Sequence, residues 1–161
     1  MNSRSDASTL NPSLLLGLVA VFFNPTNSKA KQPNFLRFYA SLQEFHDALL
    51  VIELTFGTQT SELRQYCQNI VVLSSNTILW HKEALINFGF RILARTGFKF
   101  LGWLDGDLVF DNPSWFTQTL ALLRRKALCQ LFSDARRAWA DTRTVASRRI
   151  TLGIVRSKLV A

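Results

Sequence analysis

Apolar runs and helically spaced apolar residues alternate along this chain, and each run ends at a polar or glycine-containing turn. The first run, over residues 14–23, stops before Pro25, and proline cannot continue a β-ladder. A second run, over 50–56, ends at Gly57. Between them, the apolar residues of 35–49 recur at the spacing of a helix face. The pattern therefore predicts a strand, a helix over 35–49 and a second strand.

The same alternation continues through the second half of the chain. A turn or short helix begins at residues 60–62, and the polar residues 74–77 offer N-cap groups to a following helix. The Asn112-Pro113 pair is typical of a helix start. The predicted elements are strands over 70–73, 98–104 and 127–132, and helices over 78–95 and 114–125. Strands that alternate with helices predict an α/β fold with a mostly parallel, doubly wound sheet.

Composition agrees with one folded domain. The chain has 161 residues, of which 48% are hydrophobic, and it can therefore bury a substantial core. Two cysteines and two histidines are too few for a zinc finger or a disulfide scaffold. No apolar run reaches the roughly 18 residues that a membrane-spanning helix needs. The chain is thus expected to lack a transmembrane segment.

The pattern divides the chain into a polar leader over residues 1–13, a domain over 14–135 and an Arg-rich tail over 136–161. The first apolar run has the length of a signal-peptide core, but Asp6 offsets Arg4 ahead of it. A buried strand in a cytoplasmic protein is the favoured interpretation. In the tail only residues 150–155 are typical of a strand. We therefore expect the domain to be truncated at its carboxyl terminus.

The net charge of +8 is concentrated in that tail. Residues 1–134 hold 12 basic and 10 acidic side chains, whereas residues 135–161 hold seven basic side chains and one acidic side chain. No helix-turn-helix, zinc or RNA-recognition signature accompanies the charge, which argues against a nucleic-acid partner. The tail can be a solvated terminus or a polyanion-binding segment.

Asp105-Gly106-Asp107 is the strongest local signal of chemistry, because it directly follows the apolar run 98–104. Two carboxylates one residue apart at a strand end can face a hard divalent cation such as Mg²⁺ or Mn²⁺. The plain alternative is an Asp-Gly turn that ends the strand.

Four other residues are candidates for binding. Lys82 lies in the first turn of a predicted helix, close to the same sheet edge as Asp105. An ammonium group there suits a phosphate, although Lys82 also fits a solvated helix face. Asn24 and Asn27 follow the first strand, where either nucleotide contact or simple turn chemistry is expected. Glu53 interrupts an apolar strand. It could accept hydrogen bonds from a base or ribose, or face solvent from an edge strand.

Four segments together resemble a known family. They are FFNPTN at 22–27, Trp80-His81-Lys82-Glu83, WLDGDLVFDNPSWF at 103–116 and QLFSDA at 130–135. These segments look like a set of glycosyltransferases with such blocks. The Lys82-x4-Asn87-x-Gly89 pattern, followed about twenty residues later by a strand that runs into Asp105-x-Asp107, resembles the donor-binding half of GT-A glycosyltransferases and is similar to the inverting family 2 enzymes. The resemblance covers about residues 16–135. The resemblance implies a Rossmann-like GT-A fold and the transfer of a sugar from a nucleoside diphosphate sugar to a glycan, lipid or protein acceptor.

The resemblance also implies roles for individual residues. Asp107 would be the more direct ligand of Mn²⁺ or Mg²⁺, and Asp105 would contact the metal or the donor ribose. Lys82 would lie near the base or diphosphate, and Asn24 and Asn27 would border the nucleotide. Glu53 would stand where the family places an acidic base-binding residue.

The segment after Asp134 has little from which to build an acceptor half. Asp141 is the last carboxylate of the sequence and His81 its last histidine. We therefore expect the catalytic base of an inverting enzyme to be missing. The alternative function is a catalytically inactive remnant that binds a nucleotide or a polyanion.

Overall fold

Four parallel strands form the centre of the molecule. The computed structural model describes residues 15–131 and, beyond them, the backbone of three short strands at 136–137, 146–147 and 154–156. The parallel strands, in the spatial order β3–β2–β1–β4, are β1 (Leu16–Phe23), β2 (Leu49–Phe56), β3 (Ile70–Ser75) and β4 (Phe100–Leu104). Each is in parallel register with its neighbour. The prediction of a mostly parallel sheet is confirmed.

The two central strands are buried along almost their whole length. All eight residues of β2 are buried, as are the first five of β1. Central parallel strands covered on both faces need apolar side chains on both faces, which is why these segments are continuous apolar runs. Because β2 lies between β1 and β3, the interpretation of Glu53 as a solvent-facing residue of an edge strand is wrong.

Helices cover both faces of the sheet. They are α1 (Lys31–Ser41), α2 (Lys82–Arg95) and α3 (Trp115–Leu123), with a 3₁₀-helix at Gln43–Ala48. Buried residues of α1 and α3 pack in one core with Leu16 and Leu18 of β1. Buried residues of α2 pack in a second core with Val19 of β1. The sheet is therefore doubly wound and Rossmann-like, as the sequence predicted.

The helix boundaries differ from the predictions at the helix starts. The predicted helix 35–49 begins earlier, at Lys31, and becomes the 3₁₀-helix after Ser41. Pro33 is compatible with this start because the first-turn N–H groups have no partner within a helix. The helix predicted from residue 78 begins at Lys82.

The reason for the late start of α2 is that the polar residues before it do not cap it. The Ser75 hydroxyl instead hydrogen-bonds to Thr77, and the N-cap position is held by His81 without a side-chain cap. The third helix spans Trp115–Leu123 rather than 114–125, and Asn112 accepts a hydrogen bond from the Ser114 N–H just ahead of it.

Short antiparallel strands extend the sheet beyond β4. Strand β5 (Leu128–Cys129) is shorter than the predicted strand 127–132, and β8 (Ile154–Arg156) lies between β4 and β5. Strands β6 (Arg136–Arg137) and β7 (Ala146–Ser147) pair separately. The predicted leader and most of the Arg-rich tail lie outside the described residues. Among the helices that the structure describes, none is both long and apolar enough to cross a bilayer.

Candidate functional site

The strand order reverses between β1 and β4. The chain moves outward from β1 to β2 and β3, then returns to the other side of β1 as β4. In open α/β sheets, ligands bind beyond the carboxyl ends of the strands at such a reversal. The residues that follow β1 and β4 here are Asn24 and Asp105. The topology therefore selects the same segments as the sequence analysis.

Asp105-Gly106-Asp107 forms a turn immediately after β4. The Leu108 N–H donates to the Asp105 carbonyl oxygen at 3.3 Å, so the predicted Asp-Gly turn is present. The Asp105 side chain is 24% exposed. Asp107 is exposed, and no hydrogen bond or ion pair joins its carboxylate to any residue within 15–131. The turn thus holds one accessible carboxylate and one partly shielded carboxylate.

Gly106 is required by close packing. A Cβ atom at this position would lie 2.4 Å from Cδ2 of Phe35, whose ring is buried under the turn. The turn therefore rests directly on α1. This contact fixes the position, relative to the sheet, of the turn that carries Asp105 and Asp107.

Lys82 and Asp105 form an ion pair at the edge of the sheet where the parallel strands have their carboxyl ends, which we call the carboxyl edge. Lys82 is the first residue of α2, and its Nζ donates to Oδ1 of Asp105. The expectation that Lys82 lies beside Asp105 at one edge of the sheet is confirmed. The N–H groups of the first turn of α2 add a partial positive charge there. Positive charge and N–H donors of this kind are chemically suited to an anionic group such as a phosphate.

Asn24 and Asn27 shape the turn after β1. Asn24 is buried, donates to the Ser28 carbonyl oxygen at 3.1 Å and to Oε1 of Glu62 at 3.0 Å, and accepts from the Ser28 N–H. Asn27 has a φ of 51°, in the left-handed region that asparagine tolerates. Its Oδ1 accepts from Nε2 of Gln59 at 2.7 Å. Both side chains therefore already hold the turn together.

Glu53 is enclosed by the loop that follows β2. Its side chain is 1% exposed, and its oxygens accept from the Ser61 hydroxyl, the Glu62 N–H at 2.6 Å and the Leu63 N–H at 3.4 Å. A buried carboxylate is tolerated when donors satisfy it in this way. In this structure Glu53 fixes the loop at residues 61–63.

A polar cleft of about 450 Å³ opens beside that loop, at the carboxyl ends of β1 and β2. Its amide and carboxylate groups come from Asn24 and Asn27, and also from Gln32, Gln59 and Glu62. Sequence reasoning missed the last three residues. They lie in segments without apolar periodicity, where Gln and Glu are ordinary solvated residues, and nothing in the sequence distinguishes them.

The candidate residues thus fall into two neighbouring groups. The first group contains Lys82, at the start of α2, and Asp105 and Asp107, after the end of β4. The second group contains Asn24 and Asn27, which line the cleft at the carboxyl ends of β1 and β2. Glu53 supports the wall of the cleft from within.

The residues fit a hard divalent cation only as a partial ligand set. The described residues contain no group of three or more His, Cys, Asp or Glu side chains that could hold a metal ion. Asp107 offers accessible carboxylate oxygens, and Asp105 offers oxygens that it shares with Lys82. Mg²⁺ is commonly bound through one or two carboxylates, with water and substrate phosphates as its other ligands. The pair is therefore suited to a cation that arrives with a phosphate-bearing substrate.

Three exposed apolar residues immediately precede Lys82 and His81 at the same edge of the sheet. Ile78, Leu79 and Trp80, between β3 and α2, are each 68–69% exposed. The Trp80 ring meets the Phe23 ring edge-on, with centroids 5.9 Å apart. A hydrogen bond from the Trp80 side chain, followed by backbone bonding and the Lys82 charge, lowers the pKa of Glu83.

Two buried groups near the loop are perturbed but inaccessible. Burial, with a smaller contribution from the Glu53 charge, raises the pKa of the Cys67 thiol to about 11. Burial also raises the pKa of Tyr39, although a hydrogen bond from the Gln68 N–H opposes this shift. Neither group is a candidate nucleophile, since a thiol with a raised pKa is mostly protonated near neutral pH.

No protein-family model matches the chain, and no curated protein is significantly similar to it. A functional assignment therefore rests on the residues at the carboxyl edge and on their chemistry.

Proposed function

We propose that the carboxyl edge at the ends of β1 and β4 binds a nucleoside diphosphate sugar together with Mn²⁺ or Mg²⁺. The chain would then be the donor-binding part of a GT-A-type glycosyltransferase, acting on a glycan, lipid or protein acceptor. One observation carries the proposal. Asp105 and Asp107 follow β4 where the strand order reverses, and Lys82 at the start of α2 lies against Asp105.

The charges at this corner suit a diphosphate. Asp107 would hold the cation, and Asp105 would share it or contact the donor ribose. When bound, the cation neutralises the charge that develops on the departing diphosphate. The Lys82 ammonium and the first N–H groups of α2 are donors for the phosphate oxygens. The residues thus provide cationic and hydrogen-bonding contacts where negative charge accumulates.

The polar cleft suits the nucleoside. Amide side chains both donate and accept hydrogen bonds, and Asn27 and Gln59 can exchange their mutual bond for bonds to a base or ribose. Glu53 would contribute by holding the loop that carries Glu62, because its own oxygens already accept three donors. Its proposed role is therefore structural support of the cleft.

Donor binding without transfer is the second candidate. An inverting transferase also needs a general base beside its acceptor. Asp105 is paired with Lys82 in the metal-free protein and would contact the cation or the donor ribose in the complex. That leaves Asp107 as the accessible carboxylate of the turn, and the metal requires it.

A thermal melting series tests the proposal. Purified protein is melted with UDP, GDP, ADP and their sugars, each with Mn²⁺ and with EDTA. A ligand at 100 times its Kd adds about 2.7 kcal/mol, which for a domain of this size raises the Tm by about 5–10 °C. We expect one base to give such a shift, and only with Mn²⁺.

Two matched variants locate the effect. Asp107→Asn should abolish the Mn²⁺-dependent shift, whereas Asp111→Asn, at an exposed carboxylate four residues further along the chain, should keep it. A cooperative melt that no nucleotide and metal combination shifts would overturn the proposal. A shift without sugar transfer to any offered acceptor would favour the second candidate.

A further inference from the structure

The Lys82 ammonium lies against the carboxylate where the proposed cation would bind. It donates to Oδ1 of Asp105, and the two side chains are only 28% and 24% exposed. The pair is therefore partly shielded from water, where charges interact more strongly than on an open surface. Asp107, on the same turn, carries no such partner among residues 15–131.

Both ends of this ion pair are fixed by the fold. Asp105 follows β4, which is in register with β1 from Phe100 to Leu104. Lys82 begins α2, and Gly89 of that helix packs so closely on Val19 of β1 that an added Cβ would lie 2.8 Å from its methyl groups. The ammonium is therefore held beside Asp105 by elements packed on a common strand.

An ammonium and a divalent cation at one carboxylate oppose each other. Because like charges a few ångströms apart repel, each cation weakens the binding of the other cation to the carboxylate. A cation that binds Asp105 therefore favours movement of the Lys82 ammonium away from Oδ1. The displaced ammonium, at a helix N-terminus, then needs another anion nearby.

We propose that Lys82 is a tethered counter-ion that holds Asp105 in the metal-free protein and moves to the diphosphate when metal and donor bind together. This inference rests on the proposed function, which it deepens by coupling the binding of the metal to the binding of the donor. The diphosphate supplies ligands to the cation and a new partner to Lys82. Metal and diphosphate therefore bind cooperatively, and each raises the affinity for the other by the same factor.

The choice of lysine agrees with this movement. A lysine ammonium is a compact charge on a flexible four-carbon stem, so it can pass between neighbouring anions. An arginine guanidinium would bind the Asp105 carboxylate through two parallel hydrogen bonds and would dissociate from it less easily. Lys82→Arg should therefore keep the resting pair but weaken the coupling.

The test measures Mn²⁺ binding directly, by the electron paramagnetic resonance signal of free Mn²⁺, in the absence of nucleotide. Lys82→Met should tighten the binding of Mn²⁺ alone by at least about fivefold, the lower end of typical coupling strengths. Arg91→Met is the control, since it removes one positive charge from an exposed position of the same helix. It should leave Mn²⁺ affinity within about twofold of wild type, as expected for a screened surface charge.

A second titration measures UDP, GDP and ADP at saturating Mn²⁺. Here Lys82→Met should lower the affinity for the nucleoside diphosphate that binds the wild-type protein. A purely structural role of the ion pair would not predict this loss. In the Asp105→Asn background, Lys82→Met should no longer tighten Mn²⁺. If Lys82→Met does not melt cooperatively, Lys82→Gln carries the same comparison.

The outcomes separate this inference from the proposed function. Equal Mn²⁺ affinities for wild type, Lys82→Met and Arg91→Met would overturn the counter-ion role, even if nucleotide still binds with metal. Wild-type protein that binds none of the three nucleoside diphosphates with Mn²⁺ would overturn the proposed function. A tightened Mn²⁺ affinity in Lys82→Met would then still show that Lys82 competes with the cation.

Discussion

Glu53 and Asp105 show how the surroundings of a carboxylate decide its use. Both belong to or follow parallel strands, but Glu53 is 1% exposed and receives three donors from its own loop. Asp105 is about a quarter exposed and is paired with Lys82. A carboxylate whose acceptors the fold has fully satisfied supports the structure, whereas a partly exposed one with a single partner can exchange that partner.

The structural role of Glu53 is testable by a nearly isosteric change. Glu53→Gln replaces one acceptor oxygen by an NH₂ group that faces donors of residues 61–63. Leaving buried donors unpaired should lower the free energy of unfolding by about 2–4 kcal/mol. Urea denaturation measures this value. Glu44→Gln, at an exposed carboxylate, is the control and should change it by less than about 0.5 kcal/mol. An equally small effect at Glu53 would contradict the role.

At the scale of elements, two close contacts place the candidate site. The turn after β4 rests on α1 through Gly106 and Phe35, and α2 rests on β1 through Gly89 and Val19. Neither contact leaves room for a methyl group. The positions of Asp105 and Lys82 are therefore set by packing beneath them rather than by their own ion pair.

Gly106→Ala tests the first of these contacts. The added methyl group would collide with the buried Phe35 ring, so we expect a loss of stability of about 1–3 kcal/mol, the usual cost of overpacking. The double variant with Phe35→Leu makes room and should recover part of that loss. Thermal and urea unfolding of the single and double variants check this. Additive effects would show that the two residues do not interact.

Elements differ in how far the sequence predicts them. The strands β1 and β2 were predicted because burial on both faces demands continuous apolar runs. The approach of Lys82 to Asp105 was predicted because a helix N-terminus and the carboxyl end of a parallel strand share one edge. The starts of α1 and α2 were not, since neither helix has a side-chain cap. The partners of Glu53 were not either, because the loop at 61–63 has no periodic pattern.

At the scale of the whole molecule, the strand order brings distant segments together. The order β3–β2–β1–β4 places residues 24–27 and 105–107 at one edge, although about 80 positions separate them. Two cores on opposite faces of the sheet hold this arrangement. The far edge carries different chemistry: a second cleft of about 470 Å³ is lined by Tyr39, Glu44, His46, Asp47 and other residues near them. Glu44 and Asp47 of this second cleft are therefore the carboxylates against which a cation site at residues 105–107 is compared.

The most direct measurement is therefore the location of Mn²⁺ on the assigned amide NMR spectrum, with and without the nucleoside diphosphate that raises the Tm. Paramagnetic Mn²⁺ broadens the signals of nearby amides. We predict that broadening requires the nucleotide at low metal concentration, and that it centres on Lys82 and residues 105–107 and extends to Asn24. Broadening centred on Glu44 and Asp47 at the second cleft, or spread evenly over the surface, would contradict it.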